Sequence, residues 1–164
     1  MADLKFQDRL QPALLDRLRD DGPGSGGWRA MSVSQLREAV LRDLRWLLNA
    51  NSMDVVVDLT SYPEVRNSVV NYGMPDLSGC LSQTIDLTEL AKRIRQSIID
   101  FEPRLLRKSI KVRAEPESGK SSNHLVFDIE AELWAEPVPI HLYLRTDVDL
   151  ESGEVALVES LGAD

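Results

Sequence analysis

Asp128, Glu130 and Glu132 stand at alternate positions of one run, and Asp147 and Asp149 repeat that spacing in the next. Alternate residues of an extended chain share a face, so these carboxylates would line up in rows. A protonated carboxylic acid beside an ionised one is what glycoside hydrolysis requires. A cluster of ionised ones suits a hard cation. Acidic residues at period two are also how an exposed strand face stays soluble. With His141 and Arg145 across the strand pair to offset like-charge repulsion, the solvated face is the preferred reading. His124 and His141 form no His-x-x-x-His pair, which excludes a zincin site. Cys80 is the only cysteine. It has no catalytic signature around it and reads as a small buried hydrophobe. No Gly-x-Ser-x-Gly elbow occurs, and the glycine run Gly22 to Gly27 lacks the Lys-Ser/Thr of a phosphate loop. Neither catalysis nor a bound metal or other cofactor is expected.

Glu102-Pro103-Arg104 places an acid and a base around a rigid turn where helical periodicity gives way to strand periodicity. One reading is a helix terminator with a surface ion pair, worth roughly 0–1 kcal/mol. The other is a preorganised polar contact for a partner protein. The first is favoured on spacing alone.

The elements that carry these residues follow from periodicity. Leu10, Leu14, Leu15 and Leu18 lie at helical spacing, with Asp16, Arg17 and Arg19 between them, so a short amphipathic helix is expected within 4–20. Asp20 to Gly27, with four glycines and a proline, reads as a flexible linker. The tethered helix either docks on its own domain or serves as a hook for a partner; both stay open. Residues 1–27 are thus set apart from a domain over 28–160. A second helix starts at a Ser32/Gln35 capping box. Its apolar stripe is Val33, Leu36, Val40, Leu44 and Leu47, with Trp46 at the core edge, and it ends near Asn49 to Asn51. Met53 to Leu59 is a small strand or an extended connector. Tyr62 to Tyr72 is expected to make two or three helical turns, stopped by Gly73. A third long helix starts at Asp86, paired with Glu89, and buries Leu87, Leu90, Ile94, Ile98 and Phe101. From Ile110 onward the period is two, through Leu125–Leu133, Ile140–Val148 and Val155–Leu157, with turns at Pro116–Asn123, Pro137–Pro139 and Ser152-Gly153. The expected fold is α+β: helices first, then an antiparallel meander with one apolar face covered by the helices.

The chain has 164 residues, 43% hydrophobic and 28% charged, with 27 acidic and 19 basic side chains for a net charge of -8. That size supports one ordinary domain. The acidic balance and the 5% aromatic content oppose a nucleic-acid surface. Arg42, Arg45, Arg104, Arg107, Lys108, Lys111 and Arg113 read as a salt-bridged face rather than a phosphate-binding patch. No apolar run approaches the roughly 20 residues of a membrane span. The N-terminal stretch has no apolar signal core, so the expected location is the cytoplasm.

Four segments, taken together, resemble a known family. They are Leu14-Leu15-Asp16-Arg17-Leu18, Leu41-Arg42-Asp43-Leu44-Arg45-Trp46-Leu47-Leu48-Asn49, Tyr62-Pro63-Glu64-Val65 with Ser68 to Leu77 (which contains Asn71-Tyr72-Gly73-Met74-Pro75-Asp76), and Glu102-Pro103-Arg104. The set is similar to the lysozyme-like baseplate wedge proteins of phages and, within them, to the TssE family of type VI secretion baseplate subunits. The resemblance covers about 10–158. It implies a structural protein of a cytoplasmic baseplate docked at the inner membrane complex. Its implied partners are the wedge proteins TssF and TssG and the sheath subunits TssB and TssC. It implies that Glu102, Pro103 and Arg104 contact the helical core bundle of the wedge, and that the sheet accepts strands from the first sheath subunits. Leu14, Leu15, Arg17 and Leu18 are the further candidate partner contacts. On this reading Arg104→Ala leaves folding intact and weakens wedge assembly. The competing functions are a peptidoglycan-acting muramidase, with Glu102 as its nominated acid, and a generic adaptor that uses its N-terminal helix.

Overall fold

A computed structural model describes residues 13–18, 32–115, 123–135 and 138–159. Leu10, the Gly22–Gly27 linker, the loop over 116–122 and Pro137 lie outside the described residues, as do the side chains of Arg17 and Leu18.

Helix α1 spans Leu14–Leu18 and α2 spans Val33–Leu48. The capping box at the start of α2 forms in both directions: Gln35 N–H donates to Ser32 Oγ, and Ser32 N–H donates to Gln35 Oε1 at 2.9 Å. Its buried stripe comprises Leu36, Val40, Leu44 and Leu47, joined by Ala39, Leu41 and Leu48, whereas Val33 stays exposed. Asn49 caps the C-terminus, donating from Nδ2 to Arg45 O at 2.8 Å.

Between the long helices the chain departs from expectation. Met53–Val55 is a single 3-10 turn, neither strand nor extended connector, and Val55, Val56 and Val57 are exposed. Tyr62–Tyr72 is not one helix but α3, Pro63–Arg66, and a 3-10 turn, Val69–Asn71. Asn67 already ends α3 and Ser68 caps the next turn through Val70 N–H, so local side-chain bonds outcompete helix propagation. Cys80 is exposed, not buried, because it sits in the turn just after Gly79, which has φ +73°.

Helix α4 runs Leu87–Phe101 and starts at Asp86, whose carboxylate accepts from the N–H groups of Thr88 and Glu89. It buries Leu90, Ala91, Ile94 and Ile98. It stops at Glu102, as expected of a residue before proline, with Glu102 N–H making the last helical bond to Ile98 O at 2.9 Å.

Strands β1 (Lys111–Ala114), β2 (His124–Leu133), β3 (Ile140–Asp149) and β4 (Val155–Glu159) form one antiparallel meander in the order β1-β2-β3-β4. Leu125, Phe127, Ile129, Ala131 and Leu133 of β2 and Leu142, Leu144, Thr146 and Val148 of β3 are all buried. They meet α2 and α4 in a single core. The fold is therefore α+β, with the helices on the inner face of the sheet.

Candidate functional site

The acidic rows settle on the outer face. Asp128 lies opposite Arg145, Glu130 opposite Tyr143 and Glu132 opposite His141. Lys111 Nζ and Arg113 Nη1 each reach Glu130 at 3.3 Å, His141 Nδ1 is 3.7 Å from Glu132, and His124 Nδ1 meets Asp147 Oδ1 at 2.9 Å. Arg145 pairs with Glu115. Glu130 and Glu115 are thus spent on cross-strand cations and Glu132 and Asp147 on imidazoles, the use a soluble sheet makes of its carboxylates. Among the described residues no group of three or more His, Cys, Asp or Glu side chains is placed to hold a metal.

The Glu102-Pro103-Arg104 turn is built differently. Glu102 is only 3% exposed, so the surface ion pair expected from spacing does not describe it. Arg104 grips the carboxylate with two parallel bonds, Nε to Oε1 at 2.7 Å and Nη2 to Oε2 at 2.5 Å, and its own N–H reaches Oε1 at 3.2 Å. Such a fork is the strong form of carboxylate pairing. Arg104 Nη2 also donates to Asp43 Oδ2 of α2 at 2.6 Å. Asp43 Oδ1 accepts from Arg42 Nε at 2.9 Å. Arg42 in turn holds Asp16 of α1, with Nη1 to Oδ1 at 2.5 Å and Nη2 to Oδ2 at 3.3 Å. Glu102, Arg104, Asp43, Arg42 and Asp16 thus alternate in sign along one chain of charges that joins α1, α2 and the end of α4.

Backbone bonds fix the turn to the sheet. Trp134 N–H donates to Arg104 O at 2.8 Å, Leu106 N–H donates to Glu132 O at 2.8 Å, and Leu105 bridges Leu133. Tyr72 packs edge-on against Phe101 with centroids 5.2 Å apart, and its hydroxyl reaches Asp43 O at 3.4 Å. Gly73 holds a φ of +131°, and a Cβ there would lie 2.3 Å from Ala50 O. Only glycine fits. Asn71, buried, accepts from Asp54 N–H and donates to Arg66 O. The Asn-Tyr-Gly segment therefore braces the loop against α4 and α2, on the flank of the charge chain.

The charges are mutually tuned. Burial alone would lower the Arg104 pKa, but its bonds to Glu102 and Asp43 and their fields outweigh that and hold it above the ordinary arginine value. The bond to Asp16 raises Arg42. Burial, then the nearby negative charges of Asp43 and Glu102, pushes the Tyr72 phenol up. A carboxyl with both oxygens engaged and 3% exposure cannot reach a leaving-group oxygen, as a glycosidase acid must.

Of the candidate contacts, Glu102 and Arg104 are joined directly and Pro103 is exposed at the turn between them. Leu14 and Leu15 are 70% and 41% exposed, on a helix that meets the rest through Asp16. Asp16, Arg42 and Asp43 were not among the sites expected from sequence. The signal was available in the Leu-Arg-Asp-Leu segment, where the acid and base fall off the apolar stripe. Trp46 is also less core than expected, at 46% exposure with the Arg42 guanidinium 5.0 Å from its ring centroid.

Comparison with known proteins gives three findings. No curated protein matches the sequence. One solved chain, from "The baseplate complex from the type VI secretion system", is 19% identical, covering 71% of this chain and 96% of its own, with a TM-score of 0.46. A family model described as baseplate wedge protein gp25 matches residues 34–138. That match spans more than half of the 164 residues and encloses Arg42, Asp43, the Asn-Tyr-Gly segment and the Glu-Pro-Arg turn. The chain belongs to the baseplate wedge protein gp25 family.

Proposed function

We propose that this protein is a structural subunit of a type VI secretion baseplate that joins wedge subunits and seeds sheath assembly. The single observation that carries the reading is the family match over residues 34–138, whose span contains the buried Glu102–Arg104–Asp43 cluster. Arg104 keeps a quarter of its side chain exposed above that cluster. It is a preorganised cation, already paid for in conformational entropy, beside the exposed Pro103. TssF- and TssG-type wedge proteins are the proposed partners at this turn. The protein works in the cytoplasm, at a baseplate docked on the inner membrane complex. Among the described residues no helix is long and apolar enough to cross a membrane. Residues 28–160 act as the assembling unit and 1–27 as its tethered extension.

The sheath role rests on the sheet edges. Glu115 N–H donates to Val126 O at 2.9 Å, so residues 115, 113 and 111 make the ladder bonds of β1. The polar groups of Val112 and Ala114 then point away from β2, and no described residue hydrogen-bonds them there. A donated strand, of the kind TssB and TssC would supply, can pair there. Co-purification of the tagged chain with TssF-, TssG- and sheath-type proteins tests the reading. Recovery of the wedge proteins is expected; failure with each protein folded removes it. A muramidase would clear a peptidoglycan suspension, and no clearing is expected.

A further inference from the structure

We infer that α1 is a displaceable internal ligand, held over a cleft whose other ligand is an amphipathic helix of a baseplate partner carrying a carboxylate beside a bulky apolar side chain. The inference rests on the wedge-joining reading and adds a regulation to it. The cleft, of about 240 Å³, lies between α1 and the body. Leu47 and Phe101 line its apolar part, Leu15 and Trp46 its flanks, and its charge comes from Arg42 and Arg104 together with their acids Asp43 and Glu102.

The chemistry of the ligand can be read from its present occupant. Asp16 binds Arg42 through two bonds, and Leu15 of the same helix turn lines the cleft. The fit is poor. Leu14 and Leu15 remain 70% and 41% exposed, and the cleft keeps an open volume beside them. The polar tie among the described residues is the Asp16–Arg42 pair, with side chains 18% and 28% exposed. One arm of that fork is stretched, Nη2 to Oδ2 at 3.3 Å, and water reaches both side chains, which screens the pair. Release of α1 would leave Arg42, among the described residues, paired with Asp43 through Nε and Nη2, and would free the N–H groups that Asp16 holds, beside the face of Trp46. A partner carboxylate can take those donors, and its apolar neighbour can fill the cleft. The same arginine continues into Asp43, Arg104 and Glu102, so occupancy of the cleft and contact at the Glu-Pro-Arg turn are coupled through one chain of charges.

Competition of this kind lowers apparent affinity by the fraction of molecules with α1 released. For a tie of this strength, releasing α1 raises affinity about fivefold. The test uses the full chain as wild type, as Asp16→Lys, and as Asp58→Lys. Asp58 is exposed and bonded to Thr60, so that variant changes net charge equally without touching α1. Affinity for the TssF- and TssG-type proteins is measured for all three, with amide exchange of residues 14–18 as the readout of docking. The expected result is faster exchange and about fivefold tighter binding for Asp16→Lys, with Asp58→Lys unchanged. Equal or weaker binding by Asp16→Lys overturns the competition while leaving the wedge reading intact. Equal gains in both variants, or unchanged exchange in Asp16→Lys, overturn it as well. Absence of binding by all three removes the wedge reading and, with it, this inference.

Discussion

Glu102 shows how burial changes the meaning of a motif. From sequence, an acid and a base two positions apart promise a weak surface pair. In the fold the acid is 3% exposed while Arg104 is a quarter exposed. Removing Arg104 leaves a desolvated carboxylate with no cation, a loss of about 3 kcal/mol. Arg104→Ala is therefore expected to lower the chemical-denaturation midpoint as well as wedge binding, unlike the fold-neutral variant that sequence alone suggests. Arg104→Lys keeps the charge but not the fork and should fall between. An unchanged midpoint in Arg104→Ala would show that Glu102 is solvated. The residue that completes the cluster, Asp43, lies 61 positions before Arg104. Sequence shows that Asp43 is off the helix stripe but not that it meets a turn so far along the chain, which is why the charge chain was not legible. Tyr72 offers a second reading of the same field. Its pKa is raised in the fold by burial and by Asp43 and Glu102, so the folded state holds the phenolic proton more tightly than the unfolded state. That stability is fully present below the ordinary phenol range of about 10. It is lost as pH rises through the folded value. Wild type should lose stability across that alkaline window, and Tyr72→Phe should remove the slope. The same slope in both proteins would place the titration elsewhere.

At the scale of elements, the legible parts are those where one period dominates. Phe127, Ile129 and Leu133 on β2 and Leu142 and Leu144 on β3 are all buried, as alternation requires, because a one-residue slip would turn every one of them to water. The helix starts were legible too, since Ser32 and Asp86 bond the backbone within three residues of themselves. The connector over 51–77 was not. Its valines look strand-like, but they have no partner strand, and Met53, Val55 and Val56 sit on a 3-10 turn instead. What holds that connector is non-local: Ser52 N–H donates to Met74 O, Met74 N–H to Ala50 O, and Ser97 Oγ to Gly73 O. Gly73 is the point where those strands of chain pass closest. Gly73→Ala should cost at least about 3 kcal/mol, since the new methyl collides with Ala50 backbone as well as straining φ. Thermal melting checks this, and a small shift would mean that the Ala50 turn can move aside.

The whole molecule presents two sheet edges, and they are not alike. On β4, Asp149 N–H donates to Glu154 O at 3.0 Å, which turns the polar groups of Val155 and Leu157 outward. Helix α2 covers them. Asn49 Nδ2 donates to Val155 O and its Oδ1 accepts from Val155 N–H, both at 2.9 Å, Arg45 reaches Leu157 O at 3.5 Å, and Arg37 pairs with Glu159. Beside β1, α4 packs along the strand, and among the described residues one outward group is bonded, Arg95 Nε donating to Ile110 O at 2.9 Å. Natural sheets guard their edges against stray pairing, and the proposed sheath template would use β1, the edge with fewer bonded groups among the described residues. That edge carries Lys111 and Arg113, which favours an incoming strand with acidic residues opposite them. Val112→Pro tests this with little damage, because its N–H faces away from β2 and proline is tolerated at an edge position of that kind. The variant should stay folded and keep its wedge partners, yet fail to start sheath polymerisation. Asn49→Ala should act in the opposite sense. It strips the bonds from Val155, costs about 1–2 kcal/mol, and opens β4 to self-association measurable by sedimentation. Normal sheath growth on Val112→Pro would move the template away from β1, and with β4 guarded by α2 the strand-addition account would then fail as a whole.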